Sequence, residues 1–499
     1  AQASHASSSS KSFAGMTGGL IFGRAAQAQG GRVELPKDAA LEFITDVEGN
    51  WEYLCSLVER SAVLSFRQDD PSLLALADKG YLVFGGDAPD KGPGDIRVTR
   101  ALVCLKREHP DRIFLITGNR DVNKLRFLAE LKEGEMPDVD PVRYLDIVSW
   151  QGQKQQFAEY LQERGLERTP FSGLLWILEK TMGTATMAQT RRAELEALGR
   201  PAADADVIRS FVDLVDPAGT EPWTLEYIRA AQVMVLIGDC LFIHGAVTTR
   251  GLLKVPAEDG RDGDPVTQPP PLRLPDSTPL EAWAAELNSW KARQLRLFEA
   301  YPYFQKDRPA AGERWRGGQP LMMPSLAGCH LITDGFLRKG NGAPLDPDVA
   351  AYLALNGVRR VFAGHQPQGQ SPGVMRSPSV GITVLVADTS FSDVAADKSR
   401  NPADTRGAAV STVTIRWDRT EVQGLLPDGT AHGFTLNLDW AADDGAAALV
   451  GRQLQDGSWG KTVVDGQLQT CFGEGFKLTH RLLDTDVAWT RVHESYGRL

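Results

Sequence analysis

Oxygen and nitrogen donors recur along this chain in short blocks, most of them beside glycine. They read Asp46-Val47-Glu48-Gly49-Asn50, Gly86-Asp87-Ala88-Pro89-Asp90-Lys91-Gly92, Gly118-Asn119-Arg120-Asp121, His244-Gly245 and Gly364-His365. Each block follows an apolar run, so each falls where a buried strand would end and a loop begin. Donors at successive strand ends converge although they are distant in sequence. Carboxylates, imidazoles and an amide oxygen suit hard or borderline divalent ions. Such ions neutralise phosphoryl oxygens that would otherwise repel a nucleophile, and they ionise water. One residue of this kind says little, because an aspartate at a strand end is usually a turn or helix cap.

The apolar runs predict an α/β core. Leu41 to Thr45, Tyr81 to Phe84 and Ile113 to Thr117 read as buried strands. Helices follow them, with apolar faces at Trp51, Leu54, Leu57 and Val58, then Ile96, Ala101, Leu102 and Leu105, then from Leu125, Phe127 and Leu128. Residues 134–230 interrupt the alternation with helical segments near 153–164, 171–182, 190–199 and 204–214, which read as an insertion or cap. Val233 to Ile237 and Leu241 to Ile243 suggest a hairpin. The Pro-, Gly- and Asp-rich stretch 256–279 is a loop before an amphipathic helix from Leu280 to about Glu299. A helix over Val349 to Leu355 and strands over Arg360 to Ala363, Gly381 to Ala387, Val410 to Trp417 and Glu421 to Leu425 complete the pattern. The expected organisation is a flexible arm 1–39, a catalytic-type domain 40–430 and a β-rich extension 431–499.

The five blocks, in this order, resemble the calcineurin-like metallophosphoesterase superfamily. The likeness is strongest to the branch shared by protein serine/threonine phosphatases and symmetrical diadenosine tetraphosphate hydrolases, and it spans about residues 42–390. It implies a four-layer αββα sandwich, here with a helical insertion and a β-rich C-terminal extension, and two divalent ions. Carried over residue by residue, Asp46 and Asp87 would hold the first ion, and Asp87 would bridge to the second. Asn119, His244 and His365 would complete the second site. Asp121, and Asp388 of Ala387-Asp388-Thr389, would sit behind the ligands, with Asp388 hydrogen-bonded to His244 or His365. His330 is a weaker donor candidate.

Two departures from the family bear on mechanism. Family members place histidine two residues after the first aspartate, and this chain has Glu48, a further candidate ligand. A harder, more anionic first site favours Mn²⁺ or Mg²⁺, with Fe or Zn as alternatives. The family's Gly-Asn-His-Asp/Glu histidine, its leaving-group acid, is replaced by Arg120. A guanidinium stays protonated beyond about pH 12 and cannot act as that acid, but it can hold an anion bidentately. Phosphoserine, leaving as a poor alkoxide, would miss the acid. A phosphoanhydride leaves as a stabilised phosphate, so the substrate expected is a small, nucleotide-type anhydride or ester. Asp90 would orient Arg120, Lys91 stands where the family has a phosphate-binding arginine, and Arg126 is a second candidate clamp. Gly92-Pro93-Gly94 resembles the Arg-Gly-Pro of the dinucleotide hydrolases.

Two alternatives share these residues. A protein serine/threonine phosphatase would use the same ligand set. A catalytically degenerate relative, serving as a structural or interaction subunit, would explain both departures; an Arg120–Glu48 salt bridge across a metal-free pocket would favour it. Two bound metals and nucleotide turnover would reject it.

The remaining sequence sets outer bounds. At 499 residues, with 42% hydrophobic and 24% charged residues, the chain reads as a soluble globular protein. Lys plus Arg at 54 against Asp plus Glu at 64 gives −10, which disfavours nucleic acid as a partner. The longest apolar stretch, Val233 to Val247, falls short of the ~20 residues of a membrane span. Five widely spaced cysteines point to a reducing, intracellular compartment. The Ser-, Ala- and Gly-rich start, with no acidic residue before Glu34, suggests the cytoplasm or an organelle, mitochondrion or plastid, reached through a removed targeting segment. The arm or the C-terminal extension is where a protein partner would dock.

Overall fold

Side-chain alternation along the core strands sets the layering. A strand turns successive side chains to opposite faces, and here Leu41, Phe43, Val83, Phe114, Val235, Phe242, Phe362 and Leu385 enter one buried cluster. Their neighbours Ile44, Leu82, Phe84, Leu115, Leu236, Ile243, Val361 and Val386 enter another. Two sheets therefore pack face to face, with helices on their outer faces. The computed structural model describes residues 31–131, 157–258, 270–304, 316–324, 327–338, 341–389, 409–474 and 477–496.

The first sheet runs, edge to edge, Ala431–Asn437, Arg419–Leu425, Val410–Ile415, Ala40–Ile44, Gly80–Phe84 and Ile113–Leu115. The last three are parallel neighbours, joined by crossovers through the helices Trp51–Arg60 and Asp95–Glu108. The second sheet runs Gly373–Ser377, Ile382–Val386, Arg360–Ala363, Cys240–Ile243 and Met234–Ile237. Its central strand, Arg360–Ala363, is parallel to both neighbours. Between the sheets Phe43, Phe242 and Phe362 meet with ring centroids 5.1 to 5.8 Å apart, each contributing about 1.5–3 kcal/mol by burial. Helix Leu280–Ala300 covers the outer face of the second sheet, where Trp283 meets Tyr352 of helix Pro347–Leu355 at 6.0 Å. This is the expected four-layer α/β sandwich.

Several elements differ from expectation. The helix expected from Leu125 begins at Asn119, because the Asp121 carboxylate accepts the Gly118 N–H at 2.6 Å and caps it. The short hairpin Leu64–Phe66 with Leu74–Leu76 and the edge strand Gly373–Ser377 were not legible in the apolar pattern. The first sheet does not stop at residue 430: Ala431–Asn437 pairs with Arg419–Leu425. The β-rich segment proper is the antiparallel sheet Trp459–Val464, Gln467–Glu474 and Lys477–Leu483. Ala446, Leu449, Val450 and Leu468 carry this extension into the inter-sheet core.

The insertion contains helices Phe157–Arg164, Pro170–Trp176, Met187–Ala197, Asp204–Asp213 and Trp223–Ala230; its first part, 134–156, lies outside the described residues. It is fastened near the candidate site by buried charges. Arg191 donates to Asp95 at 2.6 Å, and Glu194 accepts the N–H groups of Ile96 and Arg97, the first turn of the Asp95–Glu108 helix. At the other end, the last residues of the expected arm are docked, with Arg32 donating to Glu281 and to the Gly238 and Asn356 carbonyls. Residues 1–30 lie outside the described residues. Among the described residues no helix is long and apolar enough to cross a membrane, and all five cysteines carry free thiols.

Candidate metal centre

Parallel strands end on the same edge, and the donors sit just beyond those ends. Asp46, Glu48, Asp87 and His365 all take left-handed backbone, with φ of 52°, 48°, 54° and 68°; elsewhere among described non-glycine residues only Leu253 and Asp465 do so. Such conformations cost about 1 kcal/mol or more and persist where surroundings impose them. Their concentration here marks one built site, and it includes Glu48. Close approach does the rest. A Cβ on Gly364 would lie 2.1 Å from Asp46 Oδ2, and one on Gly118 2.2 Å from Asp87 Oδ1.

The histidines are oriented from behind. His244 donates from Nδ1 to the Gly85 carbonyl at 2.8 Å, which turns Nε2 toward Asn119 Oδ1 at 3.1 Å and Asp87 Oδ1 at 3.3 Å. His365 donates from Nε2 to the Thr333 carbonyl at 3.0 Å, which turns Nδ1 toward Asn119 Oδ1 at 2.9 Å. Donor atoms of Asp87, His244 and His365 lie within 4.8 Å of one another. Two ring lone pairs, an amide oxygen and a carboxylate oxygen thus face a common point, a set that fits a borderline divalent ion. The backbone partners of the imidazoles are the kind that fix metal-ligating tautomers.

Charge in this pocket is strongly perturbed. Burial would lower His244, but the Asp87 and Asp46 carboxylates override it and hold the ring up at about 10. Burial pushes His365 down to about 4, assisted by charge on His244. Burial alone would raise Asp87, yet His244 and Arg120 hold it below the usual carboxylate range. Asp46 is pushed well above that range by burial, with Asp388 and Asp87 adding to it. A proton and a divalent ion compete for the same lone pairs here.

Beside this set stands Arg120. Its Nε is 2.8 Å from Glu48 Oε1 and 3.6 Å from Asp87 Oδ2, and its Nη1 donates to Asp90. Lys91 lies 3.2 Å from Glu48, so the Glu48 carboxylate is held by two cations. Asp90 is fully buried and also receives Lys124 Nζ at 2.5 Å. Lys124 escaped the sequence reading; its spacing of four from Arg120, near the start of a helix, is the signal that could have found it.

The supporting residues divide. Asp121 accepts the N–H groups of Gly118, Asp87 and Ala88 at 2.6, 3.1 and 2.9 Å, tying two ligand loops together. Burial, then Asp87, raises its pKa to about 7. The charge of the Asp388 carboxylate adds to the upward shift of Asp46. Arg126 is not placed as a clamp: it is buried, and its fork grips Glu130 at 2.8 and 3.0 Å and reaches Thr181 of the insertion. His330 pairs with Asp334 at 3.3 Å and is not part of the Asp87, His244 and His365 triad.

No protein-family model matches the chain. The symmetrical bis(5'-nucleosyl)-tetraphosphatase of Buchnera aphidicola subsp. Acyrthosiphon pisum, in strains 5A and APS, is 31% identical over 93 residues, 19% of this chain. The match spans 28% of the length of those curated relatives. Among solved structures, a cold-active protein-tyrosine phosphatase of a psychrophilic Shewanella species is 13% identical, with 82% of this chain and 84% of that chain covered and a TM-score of 0.36. A protein serine/threonine phosphatase from Saccharomyces cerevisiae is 14% identical, with 79% and 78% covered and a TM-score of 0.33. The two facing sheets, whose strands deliver Asp87, His244 and His365 to one point as a candidate metal-binding triad, form the α/β sandwich that the resemblance to calcineurin-like metallophosphoesterases implies.

Proposed function

We propose that the protein hydrolyses a small phosphorylated compound, a nucleotide-type phosphoanhydride in preference to an ester, with a divalent ion, Mn²⁺ or Mg²⁺, at the Asp87, Asn119, His244 and His365 end of the site. The observation that carries this reading is the convergence of those four donors, oriented by Gly85 and Thr333, beside the cations Lys91 and Arg120. A bound divalent ion supplies charge on the phosphoryl oxygens and a more acidic water. Lys91, partly exposed, stands ready to meet an incoming phosphate. Arg120 has no proton to give a leaving alkoxide, whereas an anhydride needs none. The resemblance to dinucleotide hydrolases at Gly92-Pro93-Gly94 supports the same preference, as does the short matched stretch of the Buchnera enzyme.

The Arg120–Glu48 ion pair supports a second reading, a non-catalytic interaction subunit. One screen separates the two, with protein supplemented by Mn²⁺ or Mg²⁺ and offered phosphomonoesters, phosphodiesters, a phosphoserine peptide and dinucleoside polyphosphates. Ion-dependent cleavage of the dinucleotide, lost in Asp87→Asn, is the expected result. Faster turnover of the phosphopeptide would indicate a protein phosphatase. No turnover by ion-loaded protein would leave the interaction subunit.

A further inference from the structure

We infer that the guanidinium of Arg120 is a resident cation at the carboxylate end of the site, so that the protein takes up one exchangeable divalent ion per chain where the family resemblance implies two. The inference deepens the hydrolase reading and rests on it for the ion at the histidine end.

The resemblance assigns the first ion to Asp46 and Asp87, with Glu48 a further candidate ligand, and Arg120 stands beside them, with Nε 2.8 Å from Glu48 and 3.6 Å from Asp87 Oδ2. An oxygen-bound divalent ion sits about 2.0–2.2 Å from its ligands, so an ion drawn in by Glu48 and Asp87 Oδ2 would compete with the guanidinium for the same oxygens. Arg120 is not a loose side chain that swings away. Its backbone N–H donates to Asp87 Oδ1 at 2.8 Å, and its Nη1 donates to the fully buried Asp90, which Lys124 grips from the other side. Displacing it would take one of the neutralising cations from Glu48, Asp87 and the buried Asp90 together, a costly change.

The two departures from the family pattern are also one contact. Glu48 stands where a histidine is expected, Arg120 stands where another is expected, and these two side chains touch each other. A neutral pair has become an ion pair, with the local charge sum conserved. Asp87 then divides its oxygens, with Oδ1 toward His244 and the ion end and Oδ2 toward the guanidinium. A guanidinium supplies fixed positive charge but no open coordination position, so ionising a water falls to the single ion at the histidine end.

The test uses the full chain, stripped with a chelator, reloaded with Mn²⁺ and desalted. Elemental analysis is expected to find one Mn²⁺ per chain, and electron paramagnetic resonance a six-line spectrum of isolated Mn²⁺. Two ions per chain with a spin-coupled spectrum would overturn the inference, and so would no bound ion. The paired substitution Glu48→His with Arg120→His is expected to raise the count to two and produce the coupled spectrum; if that variant does not fold, the wild-type count decides alone. Two ions with dinucleotide cleavage would leave the hydrolase reading standing and remove this inference. One ion without cleavage of any phosphate substrate would do the reverse.

Discussion

Arg120 meets Asp87 twice, through its backbone N–H to Oδ1 at 2.8 Å and through Nε, which lies 3.6 Å from Oδ2. The same carboxylate faces His244 at 3.3 Å. One side chain thus joins the imidazole end of the pocket to its guanidinium end, and Asp87→Asn would remove the charge that serves both. Titration with Mn²⁺ should show ion affinity at least ~100-fold weaker, since loss of a mere supporting partner already costs up to about that factor.

Asp121 is the next test of preorganisation, because one carboxylate receives N–H groups from two ligand loops. An amide at this position keeps one acceptor oxygen and presents an NH₂ group to a backbone N–H. Asp121→Asn should therefore destabilise the fold by about 1–3 kcal/mol, read as a lower midpoint in thermal or urea unfolding. Ion affinity should fall with it as the Asp87 and Asn119 loops lose their common anchor.

The buried Glu130 cluster makes a prediction about stability alone. Arg126 and Arg316 both donate to Glu130, whose carboxyl they hold down at about 2 against the effect of burial. Glu130→Gln would leave buried guanidinium charge uncompensated and should cost about 3–5 kcal/mol. If Arg126 were instead a substrate clamp, Arg126→Lys would raise KM with little change in the unfolding midpoint; the expected outcome is the opposite.

His432 supplies a pH dependence away from the metal centre. It bridges Ser411 and Thr462 at 3.0 and 2.8 Å, joining the first sheet to the C-terminal one, and burial lowers its pKa to about 4. The unfolded chain, with histidine near 6.5, binds more protons than the folded chain between these values. Stability therefore rises with pH across that window and is lost as pH falls from about 6.5 toward 4, by at most ~3 kcal/mol. Urea unfolding across this range should show the slope, and His432→Gln should make it shallower, with His365 and His480 keeping their own shares.

Gly364 tests the packing behind the site. A methyl group there would lie 2.1 Å from Asp46 Oδ2 and 2.3 Å from Thr45 Oγ1. Gly364→Ala should displace the Asp46 loop and the adjacent His365, lowering Mn²⁺ uptake while the far-ultraviolet circular dichroism stays that of the native fold.

Much of this could be read from the chain in order. Ile44, Phe84, Ile243 and Ala363 end strands, and a candidate ligand, Asp46, Asp87, His244 or His365, follows each within three residues, so the ligand positions and the α/β class follow from local rules of burial and turn formation. The sequence by itself therefore determined which side chains could be ligands and which layers would present them. Where the charged side chains point was decided only by the tertiary structure. Arg126 was a candidate clamp until Glu130 and the insertion took its fork, and the six-stranded sheet continued to Asn437. The reason is range: a strand end is written in a few adjacent residues, but a long flexible side chain chooses among partners that only folding brings near. His365 N–H reaches Asp46 across 319 residues of chain, and no spacing rule operates over such a separation.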